Sequence, residues 1–272
     1  MSVYVITGAS KGLGFEFLKQ VSVDPQNTVI GLVRDKAATE EKVAKELDGR
    51  QNVHILHGDL SSYASLKAAA METTKLLGDR GVDYLISNGA YVPSFDAFDD
   101  VGALGDKIEE LEQVLAELNQ TNILGSMHLF NLFLPLVQKG RVKKVISLSS
   151  GVADLDLIND LEVGNSALYA AFKAALNVIV AKYNAQYKKD GVLFVSISPG
   201  VVDVGKFDQL TPAQLQGLGD FMGKIVAYAP HFKGPATVED AARENIALWE
   251  KVSIDSGYGG AFVSHLGNKQ WI

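Results

Sequence analysis

Cysteine is absent from the 272 residues. That excludes disulfides, thiolate catalysis and thiolate metal sites, although it leaves the compartment open. Basic charge is in short supply as well: 25 Lys and Arg stand against 32 Asp and Glu, for a formal net charge of −7. A nucleic-acid groove or an anionic membrane surface is therefore not the expected partner. No apolar run is long enough to span a bilayer, and no internal repeat, low-complexity stretch or second domain is visible. The first residues lead straight into Val3-Tyr4-Val5-Ile6, with no basic segment or cleavage pattern ahead of them, so a cytoplasmic protein is expected. What is present is 47% hydrophobic and 21% charged, with 26 glycines. That composition suits one globular enzyme domain over residues 1–272 with a sizeable core.

Short β-branched runs punctuate the chain. Val3 to Ile6 ends abruptly in Thr7-Gly8-Ala9-Ser10-Lys11-Gly12-Leu13-Gly14, and a helix-like stretch follows with Leu13, Phe17 and Val21 on one stripe. Strand, glycine turn and helix together form the context of a phosphate site: glycines let the backbone approach a pyrophosphate, and the helix N-terminus offers free N–H groups. Thr28 to Val33 reads as a second strand ending in Arg34. In a dinucleotide fold an acid about 20 residues past the glycines binds the ribose hydroxyls, whereas an arginine accommodates a 2′-phosphate. The position before Arg34 is Val33, and Lys11 adds a second cation, so the pattern favours NADP(H) over NAD(H), with Asp35 counting slightly against it.

Further strands are expected at Val53–His57, Val82–Ile86, Val142–Leu148, Val192–Ile197 and Gly259–Val263. Their alternation with helical segments predicts an α/β protein with a parallel sheet of about seven strands, wound on both faces, and ligands at the carboxyl ends of the strands. Asp59, Asn88 and Gly89 fall at such ends. His54 and His57 have no metal-ligand spacing and read as strand residues. Ile108 to Val137 is a long helical tract in which Pro135 is expected to end or kink the helix near Leu134; Asn122 lies inside it and, by itself, reads as a buried amide satisfied by a neighbouring turn. The acidic connection Asp154–Asn165 could suggest a glycosidase or a metal site, but a solvated loop is preferred. Ser166 is the expected cap of the next helix. That helix carries Tyr169 and Lys173, whose spacing puts phenol and ammonium on one face. A lysine there favours the phenolate and makes the phenol a better proton donor. Phe207 to Lys233 has little pattern and reads as an irregular substrate lid within residues 205–235.

In this order, Thr7-Gly8-x-x-x-Gly12-x-Gly14, Asp59-Leu60, Asn88-Gly89-Ala90, Asn122 with Gly125, Ser149-Ser150, Tyr169-x-x-x-Lys173 and Pro199-Gly200 resemble the motifs of the short-chain dehydrogenase/reductase family. The resemblance covers the chain up to the segment after Gly200. It implies a Rossmann fold and a catalytic tetrad of Asn122, Ser150, Tyr169 and Lys173. In that tetrad Tyr169 is the general acid, Ser150 holds the carbonyl oxygen, Lys173 binds the nicotinamide ribose, and Asn122 holds a water that links Lys173 to solvent. It further implies cofactor contacts from Gly8, Ser10, Lys11, Gly12, Leu13, Gly14, Arg34, Asp59, Leu60, Asn88, Gly89, Ala90, Pro199, Gly200 and Val202. The implied reaction is hydride transfer between NADP(H) and a ketone, aldehyde or alcohol in a homodimer or homotetramer; a catalytically idle, NADP(H)-binding redox sensor is the alternative. Two departures stand out: the Ser150–Tyr169 loop is longer than the family's, and Val204 stands where a threonine is usual.

Overall fold

The computed structural model describes residues 1–47, 49–203, 205 and 212–272. It contains a strand for each of the seven runs: β1 (Val3–Thr7), β2 (Thr28–Val33), β3 (Val53–His57), β4 (Tyr84–Ser87), β5 (Lys144–Leu148), β6 (Leu193–Ser198) and β7 (Phe262–Ser264). All pair in parallel, in the order β3-β2-β1-β4-β5-β6-β7. The strands are mainly apolar on both faces because both faces of the sheet are covered. Along β1, Val3 and Val5 pack with α3 (Tyr63–Leu77), α5 (Gly125–Lys139) and α7 (Ala167–Tyr187). Tyr4 and Ile6 point the other way, to α1 (Gly12–Val21) and α9 (Val238–Lys251). That alternation is the two-residue period of a strand serving two cores. Each buried Leu, Ile or Phe contributes about 1.5–3 kcal/mol relative to exposure, so register is fixed from both sides.

Three helical features depart from the sequence pattern. The long tract is α4 (Ile108–Leu118), a π-helical turn over Asn119–Leu124, and α5. Pro135 neither ends it nor shortens it; α5 runs on to Lys139. The proline and Asn131, whose carbonyl loses its helical donor, are both exposed, on the face where a helix tolerates that loss best. The acidic connection is not a solvated loop throughout: it holds α6 (Leu155–Leu161), capped by a buried Asp154 whose carboxylate accepts from the Leu157 N–H. Within the expected irregular lid, Pro212–Tyr228 forms α8. Three glycines speak against a helix there, but Ile225, Phe221 and Met222 bury against Leu157, Leu161 and Trp271, and burial outweighs propensity. Val204 and 206–211 lie outside the described residues. The remaining helix, α2 (Lys36–Glu46), follows β2.

Candidate active site

Strand order reverses beside β1, whose neighbours are β2 and β4, and a crevice at the carboxyl ends of β1 and β4 follows from that topology. The Thr7 hydroxyl accepts from the backbone N–H groups of Asn88 (3.1 Å) and Gly89 (2.9 Å), while Asn88 Nδ2 donates to the Thr7 carbonyl (3.0 Å). The glycine turn is pressed onto this link. Gly8 has φ +66°, and a Cβ there would sit 2.7 Å from the Gly89 Cα; one on Gly14 would meet Asn88 Nδ2 at 2.5 Å. The glycines thus serve strand-to-strand packing as well as any phosphate. Gly12 opens α1, and Lys11 before it makes no side-chain cap bond. Free N–H groups at an uncapped helix start fit a pyrophosphate.

On the β2 side of the turn, Lys11 and Arg34 are both exposed. Asp35 caps α2 by accepting from the Ala38 N–H at 3.0 Å, which ties its carboxylate to the helix. Lys42, which no sequence motif singles out, reaches back from α2: its Nζ is 3.4 Å from the Ser10 carbonyl and 3.8 Å above the Phe15 ring. Asp59 accepts from the Ser61 N–H (2.9 Å) and hydroxyl (2.8 Å) just past β3, with Leu60 buried and Ala90 exposed beyond β4. His57 bonds the Arg34 carbonyl at 3.0 Å, and His54 is half-buried on the same strand.

β5 delivers Ser150 to the far side of the crevice. Ser149 is buried with its hydroxyl unpartnered among the described residues, whereas Ser150 is half-buried with its hydroxyl beside the Tyr169 phenol. Burial pushes that phenol up to about 12, and the neighbouring Ser150 hydroxyl works in the opposite direction. Lys173 is buried one helical turn on; burial lowers its ammonium to about 8, and it donates to the Leu148 carbonyl at 2.6 Å. Nζ is 5.7 Å from the centre of the Tyr169 ring. The spacing argument predicts a phenol made more acidic, and the opposite holds: burial dominates the phenol, and the lysine turns to the end of β5. A buried ammonium with three donors and one carbonyl partner leaves donors for sugar hydroxyls, so the site fits a nicotinamide nucleotide.

Asn122 sits in the π-helical turn, which packs on α7. Its side chain grips the backbone of Tyr91 from both ends: Oδ1 accepts from the N–H and Nδ2 donates to the carbonyl, both at 2.8 Å. A buried amide satisfied by a neighbouring turn describes it, and the π geometry, invisible in the sequence, marks the spot. Beyond β6, the Pro199 carbonyl accepts from the buried Asn245, and Gly200 lies against the His265 ring. Val202 pairs with Ala236 through the Val201 carbonyl and the Asp203 N–H, leaving its own N–H and carbonyl out of that pairing. Ser166 stands at the N-cap position of α7, as expected, but its side chain does not cap the helix: the hydroxyl donates to the Ala97 carbonyl, and the Leu168 N–H goes to Asp96 Oδ2 at 2.7 Å.

Residues 2–215 match a family model described as short chain dehydrogenase. The chain is 64% identical over 272 residues to the short-chain dehydrogenase/reductase iacC of Pestalotiopsis fici, with all of both chains covered. It is 52% identical over 273 residues to the short chain dehydrogenase virK of Hypocrea virens, again over the full length of both. Among solved structures it resembles an NADPH-bound carbonyl reductase from chicken fatty liver (TM-score 0.77, 21% identity, 98% of each chain). It also resembles the carbonyl reductase Sniffer of D. melanogaster (TM-score 0.75, 20% identity, 98% of this chain and 97% of that one). The chain belongs to the short-chain dehydrogenase family of oxidoreductases, which use nicotinamide cofactors.

Proposed function

We propose that the protein is an NADP(H)-dependent reductase of a ketone or aldehyde, with Tyr169 as the general acid. The observation that carries this reading is the convergence of the Ser150 hydroxyl and the Tyr169 phenol beside the buried Lys173, whose Nζ lies 5.7 Å from the centre of the Tyr169 ring. A nicotinamide cofactor, when bound, supplies the hydride. Ser150 then holds the carbonyl oxygen as negative charge develops on it, and the Tyr169 hydroxyl delivers the proton to that oxygen. Lys173 holds the nicotinamide ribose and steadies the phenolate left behind. Asn122, fixed by Tyr91, supports the turn of backbone behind Lys173 and its link to solvent.

Three cations favour a 2′-phosphate: Lys11 and Arg34, with Lys42 leaning over the glycine turn. The carboxylate that would argue for a free ribose, Asp35, is occupied as a helix cap. Gly8 to Gly14, Asp59, Leu60, Asn88 to Ala90, and the Pro199–Val202 segment complete the cofactor contacts. The NADPH-bound relative in the comparison supports the same choice. Residues 205–235 serve as the substrate lid, and the apolar set Phe221, Met222, Phe232, Phe262 and Trp271 suits a medium or bulky apolar carbonyl compound. Exposed Ile108 and Leu115 of α4 and Val178 of α7 suit a homodimer or homotetramer, in the cytoplasm.

The test is NADPH oxidation against a panel of aldehydes, ketones and quinones, repeated with NADH, for wild type and Tyr169→Phe. Turnover should be faster with NADPH, and Tyr169→Phe should lose about 10²–10⁴-fold in rate while still binding NADPH. Equal turnover in the two proteins would remove Tyr169 from the mechanism. NADPH binding with no carbonyl reduced would point instead to a redox sensor.

A further inference from the structure

We infer that Asp96 is a positioning residue for Tyr169, the cap that sets where the proton donor stands. This rests on the role given to Tyr169 above. Asp96 lies in the segment between β4 and α4 and is fully buried, a costly place for a carboxylate. Its Oδ2 accepts from the N–H of Leu168, the residue before Tyr169, at 2.7 Å, and its own carbonyl accepts from the Ser166 N–H at 2.8 Å. Its other oxygen, Oδ1, has no hydrogen-bond partner among the described residues. All of the side chain's hydrogen bonding is thus directed to the start of α7. A carboxylate at a helix N-terminus satisfies a free N–H group and faces the positive end of the dipole.

The local residues cannot do this themselves. Ser166 stands at the cap position in the left-handed region (φ +55°, ψ +32°), with its hydroxyl turned to Ala97. Glu162, which ends α6, is left-handed too (φ +48°). Two non-glycine residues held in that region within five positions mark backbone kept in place by its surroundings. The surroundings are residues 96–101: Asn165 Nδ2 donates to the Ala97 carbonyl at 2.8 Å, Asp100 pairs with Asn165, and the Val101 N–H goes to the Gly164 carbonyl at 3.0 Å. The same segment begins at Tyr91, which holds Asn122. Within six residues, one strap grips two of the four proposed catalytic positions, with Asp96 as the grip on α7.

A proton donor displaced by about 1 Å costs on the order of 10²-fold in rate, whereas a cap lost for stability alone leaves the rate of the folded protein intact. The experiment compares kcat, KM, NADPH affinity and thermal unfolding for wild type, Asp96→Ala, Asp96→Asn and Tyr169→Phe. Asp96→Ala should lower kcat by about 10- to 100-fold with NADPH affinity within about twofold of wild type. Asp96→Asn, whose amide oxygen still accepts from Leu168, should recover most of that loss. Wild-type kcat in folded Asp96→Ala overturns the inference, and so does an Asp96→Asn protein as slow as Asp96→Ala. If Asp96→Ala does not fold, Asp96→Ser takes its place: its short hydroxyl should cap only in part, and a kcat equal to wild type would again overturn the inference. Undiminished turnover in Tyr169→Phe would bring down the catalytic reading itself, a result separable from any of these.

Discussion

Lys173 is the residue at which burial, charge and proposed chemistry meet. The residue is 4% exposed and its ammonium donates to the Leu148 carbonyl, and burial lowers that ammonium from 10.5 to about 8. A folded-state pKa below the unfolded one means that, between those two values, the unfolded chain binds a proton that the folded chain does not. Stability contributed by this group therefore rises with pH across the window from about 8 to 10.5. Below it the full cost of burying the charge is felt, and replacing a buried charge by an apolar side chain of similar size is commonly neutral or stabilising. Lys173→Met should accordingly be at least as stable as wild type at pH 7, measured by urea unfolding without added cofactor. The difference should move in favour of wild type as pH rises to 10. A difference that stays flat would mean that the lysine is charged in the fold throughout. The same substitution should abolish reduction, so stability and activity part at this residue, as expected where a site keeps a costly group for its chemistry.

Among the elements, α8 is the one whose sequence argues most against its structure. Gly217, Gly219 and Gly223 lie in it with ordinary helical backbone, and a Cβ on any of them would meet nothing within 4 Å. Replacing each by alanine should stabilise the helix by up to about 1 kcal/mol. The urea midpoint should rise with the m-value unchanged; a lower midpoint would show that these positions are packed. The helix was hidden from sequence reading because what holds it, Trp271 and the α6 leucines, is far away in the chain. The cap of α7 was hidden for the same reason: Asp96 is 72 residues from Leu168, and the adjacent Ser166 offered a local answer. The strands were legible because each is a short, mainly apolar run, and all but the second are ended by Gly, Asn or Ser. The positions of Tyr169, Ser150 and Lys173 were legible because fixed spacing and order carry them. What the motif could not convey was electrostatics: that Lys173 turns to Leu148, and that burial rules the phenol, depends on depth in the fold.

At the scale of the whole molecule, the two ends of the chain build the two halves of the site. The N-terminal strand and its glycine turn form, with β2 and β4, the half proposed for the cofactor. The C-terminal tail closes the other half: Trp271 is 3% exposed, stacks on Phe262 with ring centres 4.4 Å apart, and gathers Leu157 and Leu161 of α6 and Ile225 of α8. It also covers Gly151, the residue after Ser150, where a Cβ would lie 3.1 Å from that of the tryptophan. This small cluster stands apart from the two cores flanking the sheet, so its loss should loosen α6 and α8 locally before the sheet unfolds. Deleting a buried tryptophan side chain costs about 3–5 kcal/mol, more than a satellite cluster of this size is expected to withstand. Trp271→Ala should therefore raise KM for apolar carbonyl substrates by about tenfold or more, each 1.4 kcal/mol of lost binding being worth tenfold. NADPH affinity should stay near wild type, because the glycine turn lies in the other half, and Trp271→Phe should fall between the two. A parallel loss of NADPH affinity would show that the halves are not separate, and an unchanged KM would place the substrate away from the tail.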